Sequence, residues 1–508
     1  MGKNNFTFID LFSGIGGFHR GLTALGGNCL GFSEINRDAF ACYCENTEEN
    51  PEANYGDITG IKCLPPHDLL TAGVPCQSWS IAGRNRGFDD DRGQLWNDTI
   101  YLLNQSRPKA FIFENVKGLV DPRNKDALRY IMERIRDAGY HAEHHVINSY
   151  DYGVMQNRVR IYIIGFLDRE CFGRFSLPPA KEKHMRLGDL LGIKVLEKEA
   201  RVCQTDLFGE EIGPRQMSLS ASGGMNDYFL YNDIRNGETT IHSWDILPTT
   251  ERQKSICLLL LRNRRKKAYG CLDGNPLSHG HFRELDSTIT EEDINGLVQM
   301  GILAEEDYGF LWTAETHDLS EAELEILSHS EEGKIIVDEL KASRRLKLKK
   351  TRLKETIGKL VAKGAISCVE RRYDFKNTKI STGLNGVNRV FLPSSSVFPT
   401  LVASDTNDMV ATKDIQADNA ANYRRRFVAE IHAQGNFRKI TKAEACLLQG
   451  FPADYKLPES RARWMKLIGN SVSVPVIETL CRAIINTGVF QTQAEPSNAS
   501  QMLVMLES

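Results

Sequence analysis

No two of the 12 cysteines in this 508-residue chain stand in a C-x-x-C arrangement. The nearest pair, Cys42 and Cys44, fits neither a zinc site nor a redox pair, so the thiols read as small buried residues of a reducing compartment and no metal is expected. Charge of one sign is also lacking. With 63 Lys plus Arg against 66 Asp plus Glu the net charge is -3, and a polyanionic partner would have to be held by local basic patches. Apolar stretches such as Ile256 to Leu261 are far too short to span a bilayer, so no membrane partner is expected. The opening MGKNNFTFID lacks the charged-then-apolar layout of a secretory leader, and the expectation is a cytoplasmic chain. A G-x-G-x-x-G turn is missing too, which argues against a nicotinamide oxidoreductase.

What is present is an ordinary globular composition, 41% hydrophobic and 25% charged, at a length that predicts two to four domains. The first 170 residues alternate short apolar runs with helical periodicity. Phe6 to Phe12, Leu69 to Ala72, Ala110 to Phe113 and Ile161 to Phe166 read as strands; Gly16 to Leu25 and Asp126 to Ala138 read as helices. This rhythm predicts an α/β fold with a parallel sheet covered on both faces. Residues 186–435 differ, with weak strand signals and blocky charge. Segment 252–267 has seven basic residues and no acid, 291–332 has only acids among its charged residues, and 341–354 is basic again. Inside this region, the stretch from Ile294 to Leu303 matches that from Ile357 to Ile366 in its apolar and glycine positions. Helix, glycine and then hairpin is the pattern of a winged-helix unit, so 250–385 reads as a winged-helix-like insertion. From Arg438 the pattern tightens again: Thr441 and Glu444 form a capping box. The expected boundaries are 1–185, 186–435, 436–490 and a tail at 491–508.

Several local patterns carry chemistry. Asp10 to Phe18 (DLFSGIGGF) places a glycine-rich turn after the first strand, where helix N–H groups can meet a ligand. Glu34 follows the second apolar run, where an acid commonly takes ribose hydroxyls, and Asp57 sits where a third strand should end. Cys76, in GVPCQ, follows a further strand and could be a nucleophile if its pKa is lowered. The segment from Ser78 to Arg92 is rich in Gly, Ser and charge, the composition of a lid that meets phosphates. Glu114, in ENV, lies at a strand end beside apolar residues that can hold it protonated. Gln156, Arg158 and Arg160 share one side of an extended chain, so three donors would converge on a charged or carbonyl-bearing substrate.

In this order, with RGQLW at 92–96, RKITKAEACLLQGFP at 438–452 and Gly469 to Pro475, the motifs resemble the cytosine-C5 DNA methyltransferase family of bacterial restriction–modification systems. The match covers about 5–170 and 436–488. The resemblance implies a Rossmann-like S-adenosyl-L-methionine-dependent methyltransferase sheet with helices on both faces, plus a separate target-recognition domain. It implies that Cys76 attacks C6 of a flipped-out cytosine in double-stranded DNA, and that Glu114 hydrogen-bonds N3 and the amine. Arg158 and Arg160 would steady Glu114 and the base carbonyl. For the cofactor it implies Asp10, Phe12, Ser13, Gly14, Gly16 and Gly17 around the first turn, and Glu34 and Ile35 after the second strand. Asp57 and Ile58 would frame the adenine, joined by Pro75 and Leu95, and Asn470, Ser471 and Val472 would close the pocket. The DNA would meet Gln77, Ser80, Arg84, Arg92 and Gln156, together with Thr400 and Leu401 near the end of the recognition region. A monomer is expected, with a restriction endonuclease of the same specificity as partner. The competing readings are an RNA methyltransferase of the same chemistry and a catalytically silent DNA-binding regulator.

Overall fold

The computed structural model describes residues 5–75, 91–180, 185–196, 243–271, 274–313, 318–343, 346, 348, 350–376, 389–405, 408–417 and 420–491. The expectations for Cys76, Gln77, Ser80, Arg84 and the proposed lid lie outside them, as does the side chain of Arg92. Two compact units emerge, one drawn from Met1–Gly224, Phe391–Asp414 and Arg438–Ser508, the other from Met225–Val390 and Ile415–Phe437.

The first unit is built on a six-stranded sheet. In chain order its elements are β1 (Phe6–Leu11), α1 (Gly17–Thr23), β2 (Gly27–Ser33), α2 (Arg37–Thr47), β3 (Leu69–Gly73), α3 (Asp91–Ser106), β4 (Ala110–Val116), α4 (Lys125–Asp137), β5 (His141–Asn148) and β6 (Val159–Phe166). The strand order is β2–β1–β3–β4–β6–β5. Strands β1 to β4 are parallel, but β6 runs antiparallel to both β4 and β5, so the all-parallel expectation is corrected. The cause is the link between β5 and β6, only 149–158, which holds no crossover helix; a parallel return needs about a dozen residues or more. Strand alternation divides the core. Leu11, Phe111, Phe113 and Ile161 pack on one face with Trp96, Ile131 and Ile135 of α3 and α4, while Phe6, Phe8, Ile112 and Tyr162 pack on the other with Phe18 and Leu22 of α1. The strand expected to end at Asp57 is absent; only an isolated bridge between Phe32 and Asn54 forms there. Edge strand β5 escaped the sequence reading because its residues 141–145 are largely polar and not buried.

The second unit bears out the internal repeat and corrects the hairpins. It contains α5 (Glu251–Asn263), α6 (Glu291–Gln299), β7 (Leu303–Trp312), α7 (Glu321–Leu327), β8 (Lys334–Ile336), α8 (Lys350–Ala362) and β9 (Ile366–Phe375). Helices α6 and α8 each stop at a glycine in the left-handed region, Gly301 at φ 72° and Gly364 at φ 69°. The following strands do not fold into separate wings. They pair with each other antiparallel, Leu303 opposite Phe375 and Ile366 opposite Trp312, so the first residue of each faces the last of the other. Each half keeps its own core: Ile256, Leu260, Ile294 and Leu297 in one, Ile326, Leu327, Ile357 and Leu360 in the other.

The chain then returns to the first unit through α9 (Lys442–Gln449), α10 (Arg461–Asn470) and α11 (Val474–Asn486). The capping box at Thr441 and Glu444 opens α9 as expected. The stretch Arg461–Asn486 is long and apolar enough, by length and composition, to cross a membrane, contrary to the sequence reading. It is broken at 471–473 into two helices, and 67% of its most apolar window is buried inside the protein. Segment Phe391–Asp414, placed by sequence in the recognition region, belongs to this unit because Phe398–Pro399 pairs with Gln156–Asn157.

Helix α11 lies against α1 at close range because Gly17 and Gly21 leave room for it. A Cβ added at Gly21 would stand 2.9 Å from Cγ2 of Ile477, and one at Gly17 would stand 2.6 Å from Cγ2 of Val472. Gly21→Val should therefore overpack this helix contact and cost about 1–3 kcal/mol. Chemical denaturation of wild type and variant would show the loss; equal stability would mean that α11 can shift away freely.

Candidate active site

The carboxyl ends of β1 to β4 open on one edge of the sheet, and the strand order turns between β1 and β3, the place where open α/β sheets bind ligands. After β1 the chain enters the turn at residues 12–16. Phe12 has φ 52°, a left-handed conformation that a bulky residue adopts only when its surroundings enforce it. Gly14 and Gly16 follow at φ 58° and 89°, and a Cβ at Gly14 would meet nothing within 4 Å. The backbone at Gly14 is thus bare and open, whereas a Cβ at Gly16 would stand 3.3 Å from the side chains of Thr47, Tyr43 and Tyr455. Ser13 Oγ is buried without a hydrogen-bond partner among the described residues, as is Oδ2 of Asp10. Thr71 donates to the other Asp10 oxygen at 2.9 Å, and burial pushes the Asp10 carboxyl up to about 8.

The acid after β2 reaches back to this turn. Glu34 accepts from the Gly14 N–H at 2.9 Å and from the Asn36 N–H at 2.7 Å, while burial raises its pKa. Its backbone is fixed by Asn54, a residue the sequence reading missed. The Asn54 side chain accepts from the Glu34 N–H at 3.0 Å, donates to the Glu34 carbonyl at 2.9 Å and accepts from Gly56 N–H at 3.0 Å. A lone Asn between two motifs carries no signal that could have found it. Ile35 beside Glu34 is 72% exposed, an apolar surface at the edge of the turn. The Asp57 side chain caps Thr59, and Ile58 is buried. Open space at Gly14, an unpartnered serine hydroxyl and an acid held at the turn fit a polar adenosyl ligand. Pro75 and Leu95 are half-buried.

Glu114 is a buried carboxyl near the carboxyl end of β4. Because β6 runs antiparallel, Arg160 at its start lies opposite Val116, and Arg160 Nε reaches Glu114 Oε1 at 3.1 Å. A parallel β6 would have put Arg160 at the other edge of the sheet, roughly 20 Å away. Burial raises the Glu114 pKa, and the guanidinium groups of Arg160 and Arg158 oppose that rise. The neighbouring Asn115 donates to the Val74 carbonyl at 3.1 Å and thereby ties β4 to the segment that leads to residue 76.

The three donors of the QNRVR motif do not converge on one ligand. Arg158, 1% exposed, donates to the carbonyls of Leu401 at 3.1 Å, Gly469 at 3.0 Å and Ser471 at 2.6 Å. Burial lowers its pKa to about 9, which still leaves it charged at neutral pH. Gln156 donates to the Leu448 carbonyl at 3.0 Å and to Gln449 Oε1 at 2.9 Å, and Gln449 donates onward to the Ser471 carbonyl at 2.7 Å. The expectation that Gln156 meets substrate is corrected: it is fully buried and committed to its own chain. Leu401 is buried as well, and Thr400 donates to the Asn157 carbonyl. Ser471 and Val472 are buried beside α1, whereas Asn470 is exposed. One further cluster brings His19, Cys29 and Glu49 together, with ligand atoms within 4.8 Å of one another. Burial holds the Cys29 thiol up at about 12, so it stays protonated, and His19 is hydrogen-bonded to Glu49 at 2.9 Å.

These roles separate two arginines that the motif presents as equals. Arg158→Met should strand three carbonyls and cost about 3 kcal/mol in unfolding experiments. Arg160→Met should cost less, because Glu114 can take up a proton once its partner is gone. Equal losses would contradict the assignment.

The profile of C-5 cytosine-specific DNA methylases matches residues 6–486. The Type II methyltransferase M.HgiBI of Herpetosiphon aurantiacus is 39% identical over 492 residues, which are 96% of this chain and 98% of that protein. M.NlaIV of Neisseria lactamica is 28% identical over 510 residues, covering 94% of this chain and 99% of its own. M.HpaII of Haemophilus parainfluenzae is 42% identical over 301 residues, 54% of this chain and 82% of that one. With most of its length matched by the family and by such relatives, the chain belongs to the C-5 cytosine-specific DNA methylases and is a DNA cytosine-5 methyltransferase of the Type II restriction–modification kind.

Proposed function

We propose that the enzyme moves a methyl group from S-adenosyl-L-methionine to C5 of a cytosine flipped out of duplex DNA, through a transient bond between Cys76 and C6. The observation that carries this reading is the buried Glu114–Arg160 pair at the end of β4, beside the β3 end that leads to residue 76. Extrusion of the base costs roughly a few kcal/mol but exposes C6 and N3 to these groups.

The Cys76 thiolate adds to C6, and the electron pair of the C5–C6 double bond moves toward C5 and the ring. Glu114, whose pKa burial raises, donates to N3 in its protonated form and stabilises the charge that develops there. Arg160 fixes the carboxyl in place and can meet the base carbonyl. The bound cofactor supplies the electrophilic methyl group. A base then removes the C5 proton, the C5–C6 double bond re-forms, and the thiolate leaves. Arg158 acts as a positioning residue, since its three hydrogen bonds go to main-chain carbonyls.

For the cofactor we assign the Gly14–Gly17 backbone and Ser13 to the methionine part, Glu34 to the ribose hydroxyls, and Phe12, Ile35 and Ile58 to the adenine. Val472, packed near Gly17, closes this pocket from the C-terminal segment. Residues 186–435, apart from Phe391–Asp414, read as the DNA-recognition region. The enzyme would act as a monomer on DNA in the bacterial cytosol, protecting sites that a cognate endonuclease cuts.

Two substitutions test the scheme. Cys76→Ser should abolish methylation and covalent capture on DNA containing 5-fluorocytosine while DNA binding persists; turnover near the wild-type rate would place the nucleophile elsewhere. Glu114→Gln should lower the rate by about 10²–10⁴-fold with cofactor affinity unchanged. In the wild type, the rate should fall as pH rises past the raised pKa of Glu114, because the donating proton is lost. That alkaline limb should vanish in Glu114→Gln, and its persistence would assign the limb to another group.

A further inference from the structure

His19, Cys29 and Glu49 take no part in the reaction chemistry, yet the fold gathers them from three elements. Ten and twenty residues separate them in sequence, so no local motif marks them. His19 lies in α1, Cys29 in β2, and Glu49 two residues beyond the end of α2. Glu48 turns the chain there at φ 60°, a conformation uncommon for a residue with a Cβ, and the Glu49 carboxylate meets His19 Nε2 at 2.9 Å. The three ligand atoms lie within 4.8 Å of one another, and no other such group of His, Cys, Asp or Glu forms among the described residues.

The donors are held in place by their neighbours. The His19 ring is buried, edge-on to Phe8 and Tyr43 with centroids at 5.7 and 5.5 Å. Cys29 Sγ lies 3.4 Å from the Gly31 carbonyl and 3.7 Å from the Tyr43 hydroxyl. An imidazole nitrogen, a sulfur and a carboxylate oxygen form a donor set that suits zinc, whereas calcium and magnesium take oxygen ligands. At zinc bond lengths a tetrahedral site keeps its donor atoms roughly 3.3–3.7 Å apart, so the spacing here needs shifts of no more than about 1 Å. A thiolate and a carboxylate balance the two charges of the ion, which removes the cost of burying an uncompensated cation. The Glu49 side chain is 26% exposed, which gives the ion a way in and brings water within reach of a fourth position.

We propose that His19, Cys29 and Glu49 bind one Zn²⁺, which staples α1, β2 and the end of α2 together. Left to itself the Cys29 thiol keeps its proton; a dication at bonding distance takes the thiolate outright, and that proton leaves to solvent. Nε2 of neutral His19 changes from hydrogen-bond partner of Glu49 to ligand, with the ring proton carried on Nδ1. The stapled elements frame the glycine turn at 12–16, so the ion acts on stability and not in methyl transfer. Nothing in this inference depends on the Cys76 scheme.

The test uses the full-length enzyme, stripped with EDTA and dialysed against Zn²⁺, with metal measured per chain. Wild type should retain one zinc, and zinc should raise its unfolding midpoint. Co²⁺ in its place should give a thiolate-to-metal absorption band. Cys29→Ser should lose both the zinc and the band, whereas Cys63→Ser, at an exposed cysteine outside the trio, should keep both. Cys76→Ser should keep them as well. Glu49→Gln should keep the band but weaken zinc binding at least about tenfold, the loss that follows removal of even a partner outside the ligand set. The proposal is overturned if wild type retains no zinc, if zinc and band survive Cys29→Ser, or if they depart in Cys63→Ser or Cys76→Ser instead. Should Cys29→Ser fail to fold, the Glu49→Gln titration decides, and unchanged affinity there overturns the site.

Discussion

A single buried guanidinium holds the catalytic unit together. Arg158 donates to the carbonyls of Leu401, Gly469 and Ser471, three points that stand more than 240 residues further along the chain. A cation in such a place is stable only because several carbonyl dipoles replace the water it has lost. The same demand ties the C-terminal segment to Arg158: a docking that withheld these carbonyls would leave the charge buried and unpaired. Gln156 and Gln449 extend the network to α9. The chain can therefore leave the catalytic unit, build a second unit of its own, and still return in register.

That return completes the site rather than merely enclosing it. The glycine face of α1 admits Val472 and Ile477 within touching distance, which sets the C-terminal segment against the turn where the cofactor is assigned. On the other side of the crevice, the reversal of β6 brings Arg160 to Glu114. One carboxyl is thus buried enough to favour its proton and yet faces a cation that limits the effect.

The second unit contains the same local pattern twice. Its two halves retain the helix, the glycine and the strand, because these fill two similar cores and share one antiparallel ribbon. The repeated helices differ in charge, α6 opening on Glu291, Glu292 and Asp293 and α8 carrying Lys350, Arg352, Lys354 and Lys359, because solvent imposes no matching condition on exposed positions. The strands pair with each other instead of forming two wings. Each is ten residues long, and a partner of equal length satisfies its backbone groups.

The strands β1, β3, β4 and β6, the glycine turn, the capping box at Thr441, the repeated helices and the family are legible in the residues alone, because each is written in local periodicity or in contiguous motifs. So are Glu34, Glu114 and Arg160, whose positions at strand ends follow from the pattern of short apolar runs. The direction of β6, the membership of Phe391–Asp414 in the catalytic unit, the structural use of Gln156 and Arg158, and the part played by Asn54 emerge only in the folded chain. These depend on which carbonyls and side chains the fold brings together from distant parts of the chain. An arginine that will bind a carbonyl 313 residues away looks the same in sequence as one that will bind a carboxylate across a strand.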